Sequence, residues 1–201
     1  MEDCYIMHFG EIKEKIKDKV IGIAGCGGLG SNCAVSLVRV GIIRLIIADF
    51  DCIEESNLNR QHYFINQVGR KKVYALKDNL MAVNPNVSVD AFDIRLTPDL
   101  ILKIYKDCDI IVEAFDDAED KKMIIETILD KMPDKPVVSG IGLAGWGDNN
   151  SIHTSQYGNL YICGDNIKEV NEDNPPLAPR VGIVANMQAN QVLEILLKER
   201  T

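Results

Sequence analysis

Residues 25–30, Gly-Cys-Gly-Gly-Leu-Gly, constrain this chain more than any other stretch. Val20, Ile21 and Ile23 precede them as a short β-branched run, suited to a buried parallel strand. Ser31 follows and opens a helix carrying Val35, Leu37 and Val38. Gly25, Gly27 and Gly30 have the G-x-G-x-x-G spacing, with Gly28 between them. One glycine makes the tight turn, one lets a phosphate reach the main chain, and one lets the helix pack on the sheet. The helix N-terminus adds free N–H groups and a positive dipole end. A second run, Leu45-Ile46-Ile47-Ala48, ends at Asp49, close to where a ribose-binding carboxylate belongs. Glycine spacing alone recurs by chance. A strand before it, a helix after it and Asp49 beyond the next strand make it a nucleotide loop, without saying which nucleotide.

The loop after Asp49 narrows the choice. It carries Asp51 and then Ser56-Asn57-Leu58-Asn59-Arg60-Gln61. A dinucleotide has only a pyrophosphate to neutralise, whereas a triphosphate demands cations beyond one helix dipole. Here the chain resembles the ThiF/MoeB/HesA family, bacterial relatives of ubiquitin-activating enzymes. The resemblance rests on GCGGLGS at 25–31, DFD at 49–51, SNLNRQ at 56–61, VGRKK at 68–72, Asp116-Asp117, and PPLAPRVGIVANMQANQVLEIL at 175–196. The tail looks most like the short thiamine-pathway ThiF proteins.

What that resemblance implies is an adenylyltransferase using ATP and Mg²⁺. ATP would lie over Gly25, Gly27, Gly28 and Gly30, with its ribose on Asp49 and Asp51 nearby. Its phosphates would meet Asn57, Arg60 and Lys72, with Ser56 also in the nucleotide site, and Asp116 would hold the metal beside Asp117. The implied substrate is the C-terminal carboxylate of a small ubiquitin-like sulfur carrier ending in Gly-Gly. The implied assembly is a homodimer, because longer family members send a leader arginine across the interface to the partner's ATP. Residues 1–18 of this chain contain no arginine. Lys13, Lys15 and Lys17 are point charges without the planar fork, so Arg180, after the proline-bearing segment, is the expected replacement.

Alternatives remain at several of these positions. Asp49 and Asp51 are also ordinary turn residues, and Lys71 competes with Lys72. Asp117 suits the N-cap of the next helix, which leaves Asp116 for magnesium, a metal that takes one or two carboxylates and fills its shell with phosphates and water. An NAD(P)-dependent oxidoreductase would share the glycine loop and Asp49 but leaves Arg60, Lys72 and Asp116 unexplained. A noncatalytic subunit that binds a ubiquitin-like protein is the third reading, favoured by the missing leader arginine and opposed by those same three residues.

Composition bounds the rest. At 201 residues the chain suits one α/β domain over 1–201. Hydrophobic residues make up 46% and charged residues 26%, an ordinary globular balance. The net charge of −8 opposes a nonspecific grip on nucleic acid or anionic membrane, and the basic run Arg70-Lys71-Lys72 does not reverse it. The acidic start Met1-Glu2-Asp3 and the lack of a long apolar run predict neither a signal peptide nor a membrane span. Cysteines stand at 4, 26, 33, 52, 108 and 163 with no C-x-x-C pair. That spacing predicts reduced thiols in a cytoplasmic protein and no zinc, unlike many relatives. Cys163 lies nearest the position where some thiamine-pathway relatives form a persulfide, and it reads as an inert thiol.

The remaining pattern predicts a Rossmann-like, doubly wound, mostly parallel α/β sheet, closed by a C-terminal antiparallel hairpin and a last helix. An amphipathic leader helix covers 8–18. A helix over 69–83 stops at Asn84-Pro85. Strands follow around Val87–Phe92, Ile110–Val112 and Pro136–Gly140, separated by helices from Thr97 and from Ala118 to Lys131. Two alternating segments around Gly158 predict the hairpin within 151–163, residues 164–180 a long crossover loop, and about 181–199 the last helix.

Overall fold

The apolar runs form strands and the amphipathic runs form helices in a computed structural model that describes residues 7–165, 167 and 170–198. Cys4, the acidic start at 1–3 and the expected helix end at 199 lie outside the described residues. The helices are α1 (Phe9–Ile16), α2 (Gly28–Val40), α3 (Lys72–Val83), α4 (Pro98–Ile104), α5 (Ala118–Lys131) and α6 (Ala178–Leu197). The strands are β1 (Val20–Ala24), β2 (Arg44–Asp49), β3 (Ser88–Asp93), β4 (Ile110–Glu113), β5 (Val137–Ile141), β6 (His153–Tyr157) and β7 (Leu160–Gly164).

Among the described residues these strands make one sheet in the order β3-β2-β1-β4-β5-β7-β6. Every neighbouring pair is parallel except β6 with β7. β1 sits between β2 and β4, and the strand order reverses there. Connections leaving the two halves diverge at that point, which opens a crevice at the strands' C-terminal ends.

The two-residue period of the strands divides the core. Ile21, Ile23, Leu45, Ile47, Ile110, Val112 and Val138 face one helical layer with Leu29, Leu37, Leu76 and Val184. Ala24, Ala48, Ile111 and Val137 face the other, with Ile101, Tyr105, Ile124 and Ile128. Fully burying one such aliphatic side chain contributes about 1.5–3 kcal/mol. On the second face, Gly22 makes room for an aromatic ring: a Cβ there would lie 2.6 Å from Tyr105 Cδ1. The Tyr105 hydroxyl then donates to the Ile23 carbonyl at 3.0 Å, which keeps a buried polar tip satisfied.

Three boundaries differ from the sequence reading, each for a local reason. α3 starts at Lys72 because the backbone of 69–72 is committed elsewhere. Gly69 N donates to Ile53 O at 2.8 Å, Ile53 N to Arg70 O at 2.8 Å and Lys72 N to Asp51 O at 3.0 Å. α6 starts at Ala178, before the expected position, because Pro179 falls in its first turn, where a missing N–H is harmless. The hairpin runs from His153 to Gly164, and β7 pairs in parallel with β5. It therefore extends the main sheet, with β6 as the edge.

Candidate active site

A cleft of about 980 Å³ opens where the strand order reverses, lined by Gly25, Gly27, Gly28, Asp49, Asp51, Arg60, Lys72, Asp116 and Asp117. Nine of the twelve site residues expected from sequence thus share one cavity. Its floor is backbone. Gly25 adopts φ +94, and a Cβ there would lie 2.7 Å from the Ala114 carbonyl oxygen. Only glycine accommodates both constraints. The first turn of α2 rises from Gly27, its N-cap, which supplies no side-chain cap. No acidic residue stands in that turn either, so its N–H groups face the cleft with their dipole unopposed.

Asp49 anchors the loop on either side. Its carboxylate accepts from Cys26 N at 2.7 Å and from Asp51 N at 2.8 Å. Burial pushes this carboxyl above the usual range, while the Lys72 ammonium and the two backbone donors pull it back. Tyr63 completes the brace: its hydroxyl donates to Cys26 O at 2.7 Å.

The cations divide clearly. Lys72 is 7% exposed and places Nζ 2.7 Å from Asp51 Oδ2. Lys71 instead donates to Phe50 O at 2.6 Å and pairs with Asp93 at 3.0 Å. Of the two adjacent lysines, Lys72 lines the cleft and Lys71 does not. Arg70 pairs with Asp78 on the surface at 2.6 Å. Arg60 is oriented by its NH1 group, which donates to Asn59 Oδ1 at 2.9 Å and Ser56 O at 3.2 Å.

Gly30, Ser56 and Asn57 do not line the cleft. A Cβ on Gly30 would lie 1.9 Å from Gly25 O, so this glycine seats α2 on the loop. Ser56 donates to Glu54 Oε2 at 3.2 Å, and Asn57 Oδ1 accepts from Glu54 N at 3.0 Å. Both shape the turn that carries Arg60. Asp117 caps α5, accepting from Glu119 N at 3.0 Å and Asp120 N at 2.9 Å. Asp116 is exposed at the cleft and has no hydrogen bond or ion pair among the described residues.

A model of the ThiF family matches residues 6–201. The chain belongs to the ThiF family. Over 195 residues it is 30% identical to the adenylyltransferase and sulfurtransferase UBA4 of Candida glabrata, covering 94% of this chain and 44% of that one. Over 84 residues it is 43% identical to the ubiquitin-like modifier-activating enzyme 5 of Caenorhabditis briggsae, covering 42% and 19%. The chain spans less than half the length of these curated relatives. Among solved structures, E. coli MccB with ATP aligns at TM-score 0.70 and 25% identity, covering 92% of this chain and 57% of that one. The E. coli tRNA N6-threonylcarbamoyladenosine dehydratase TcdA, in complex with AMP, aligns at TM-score 0.84 and 18% identity, covering 92% and 89%. That second likeness shows the fold alone.

Within this ThiF-family chain, Arg180 does not reach toward the cleft as expected. It is 2% exposed and lies in the first turn of α6. Nε donates to Gly142 O at 2.9 Å, NH1 to Gly147 O at 2.8 Å and NH2 to the Asp165 carboxylate. The guanidinium is a buried clamp joining the loop after β5, at Gly142 and Gly147, to Asp165 after β7. The leader lysines do not line the cleft either: Lys13 lies over the Phe9 ring at 4.6 Å, and Lys17 pairs with Glu14.

Two cations missed in the sequence do line the cleft. Arg95 pairs with Asp120 at 3.2 Å and stacks 5.5 Å from the Phe50 ring centroid. Lys121 donates to Glu113 Oε2 at 2.6 Å and Gly140 O at 3.1 Å. Glu113 is fully buried and also accepts from Ser139 Oγ at 2.6 Å and Phe115 N at 2.8 Å. Cys163 is fully buried, and burial pushes its thiol up, away from the reactive thiolate.

Proposed function

We propose that this chain adenylates the C-terminal carboxylate of a small ubiquitin-like sulfur carrier, consuming ATP and releasing pyrophosphate. The observation that carries the reading is the convergence of Arg60, Lys72 and an unengaged Asp116 on a glycine loop and an uncapped helix N-terminus. A dinucleotide would leave those three residues without work. The adenylyltransferase named among the curated relatives and the ATP complex of MccB support the same reading.

The carboxylate oxygen would attack the α-phosphorus in line, and the bond to the bridging oxygen of pyrophosphate would break. No proton needs to move. The chain's contribution is therefore position and charge: the α2 N-terminus, Arg60 and Lys72 around the phosphates, and Asp49 on the ribose. The donor set fits a magnesium ion that shares its shell with phosphate and water. Among the described residues no three His, Cys, Asp or Glu side chains cluster as a metal site. Asp51 is engaged by Lys72 and Asp117 by the helix cap, which leaves Asp116 as the carboxylate to hold the ion. Magnesium bound there would neutralise phosphate charge.

The tail's likeness to short thiamine-pathway members makes a thiamine sulfur carrier ending in Gly-Gly the first substrate to assay. One adenylation domain over 1–201, acting as a homodimer in the cytoplasm, completes the proposal. Free thiols at Cys26, Cys33, Cys52, Cys108 and Cys163 support a reducing compartment. Among the described residues no helix is long and apolar enough to cross a membrane.

The test is carrier-dependent exchange of labelled pyrophosphate into ATP, run beside calorimetric titrations with ATP and NAD. Exchange with ATP binding supports adenylation. NAD binding without exchange would transfer the chain to the oxidoreductase reading, and carrier binding without either would make it a noncatalytic subunit. Within that assay, Asp116→Asn is expected to lower exchange about tenfold or more and to raise the magnesium concentration needed for half-maximal rate. Asp117→Asn should change both much less, because asparagine caps helices as well as aspartate. Equal effects at the two positions would undo this division of labour.

A further inference from the structure

The side-chain amide of Gln61 has no explanation within the fold. Gln61 is 9% exposed and lines the cleft beside Arg60. Its Oε1 is buried without a hydrogen-bond partner, and its Nε2 bonds to no described residue. Gln188 offers the contrast. Its Oε1 is also unpartnered, but its Nε2 donates to Glu113 O at 2.9 Å and Val138 O at 3.1 Å. Of these two glutamines, only Gln61 keeps its whole amide idle at a cavity. The Nε2 end, beside the cleft-lining Gly27, has donors to offer an acceptor from outside, while Oε1, itself an acceptor, gains nothing from an anion.

Everything around that amide is fixed. Gln61 N donates to Asn57 O at 2.9 Å, and Gln61 O accepts from Tyr63 N at 2.8 Å. On one side Asn32 Nδ2 donates to Arg60 O at 2.9 Å, and on the other His62 N donates to Ser31 Oγ at 3.0 Å. Both tether Gln61 to the first turn of α2. Its Nε2 is the nearest outside atom to the position a Cβ on Gly27 would take, at 3.7 Å. The amide hydrogens therefore stand next to the uncapped helix N-terminus. The unpartnered oxygen points inward, the arrangement a carbonyl tolerates better than an N–H would.

We infer that Gln61 is a catalytic residue whose Nε2 donates to a phosphate oxygen seated on the α2 N-terminus. The inference rests on the adenylation reading for the identity of the nucleotide. It adds a neutral, rigidly placed donor to the charged pair Arg60 and Lys72. Such a donor stabilises charge developing on a phosphoryl group without attracting a counter-ion of its own.

The test uses Gln61→Met, close in shape and apolar, and Gln61→Glu, close in shape and anionic. The readouts are calorimetric affinity for inorganic pyrophosphate and for ATP, apo melting temperature, and exchange rate. Gln61→Met is expected to weaken pyrophosphate binding about 10–100-fold while raising the apo melting temperature by about 2–4 °C, since it removes an unsatisfied buried group. Gln61→Glu should weaken binding further. Unchanged pyrophosphate affinity in both variants, no pyrophosphate binding by the wild type, or a lower melting temperature in Gln61→Met overturns the assignment. Exchange reports separately on the activity. A wild type that binds pyrophosphate through Gln61 yet exchanges none would overturn adenylation and leave the anion seat standing.

Discussion

Replacing Arg60 by alanine is expected to lower kcat for carrier-dependent pyrophosphate exchange by about 10²–10³, the effect of losing one preorganised donor to a charged transition state. NH1 is already held by Asn59 Oδ1 and Ser56 O, so the guanidinium needs little ordering when the nucleotide enters. Its Cγ lies 3.7 Å from where a Cβ on Gly28 would stand, which places the stem against the first residue of α2. Nε and NH2 make no hydrogen bond among the described residues and are left to meet a ligand in the cleft. The KM for ATP should change less than kcat, because the donor matters most as charge develops. Arg60→Lys should recover only part of the loss, since an ammonium lacks the planar fork. Near-normal exchange in Arg60→Ala would remove Arg60 from the reaction.

Arg180→Ala should act on stability, by about 3–5 kcal/mol, the loss that follows when one partner of a buried ion pair is removed. Arg180 and Asp165 are 2% and 1% exposed at their side chains. The same guanidinium also donates to the carbonyls of Gly142 and Gly147, so alanine withdraws three donors at once, one of them from the buried Asp165 carboxylate. For a chain of this length the melting temperature should fall by about 6–20 °C. Combining Arg180→Met with Asp165→Asn should be milder than Arg180→Met alone, because no buried charge then loses its counter-ion. Urea and thermal melts of the variants decide the matter. A melt like the wild type's for Arg180→Ala would mean that the clamp contributes nothing.

Much of the architecture was legible because local chemistry specifies it. The β-branched runs around Ile21, Leu45 and Ile110 became adjacent strands, and Thr97-Pro98 became an N-cap and first helical residue as spacing predicts. The glycine loop was legible for the same reason, since its pattern encodes backbone room. Side chains whose roles depend on distant loops were not. Arg180 reads as a loop cation until Gly142, Gly147 and Asp165 close around it from other parts of the chain. Asn57 looks like a phosphate donor beside Arg60 and Ser56 like part of the nucleotide site, yet Asn57 Oδ1 and the Ser56 hydroxyl are bonded within a tight turn outside the cleft lining. Lys121 carries no motif that pattern alone could distinguish from solvated surface, and Gln61 closes the SNLNRQ run without a role of its own there. Only their burial and their neighbours mark them.

The strand order has a consequence for how the chain acquires its cleft. β1 and the glycine loop occur early in the sequence, but what encloses them arrives late. Ile21 pairs with Ile110, the Ala114 carbonyl abuts Gly25, and Val181 abuts Gly28. Contacts so far apart in sequence form slowly, because the entropy of closing the intervening chain precedes any reward from pairing. During synthesis the apolar face of α2 must wait for α6, which packs against it from the opposite end of the described residues. The cleft is therefore a late product of folding, and an incomplete chain can carry the whole glycine motif without possessing it.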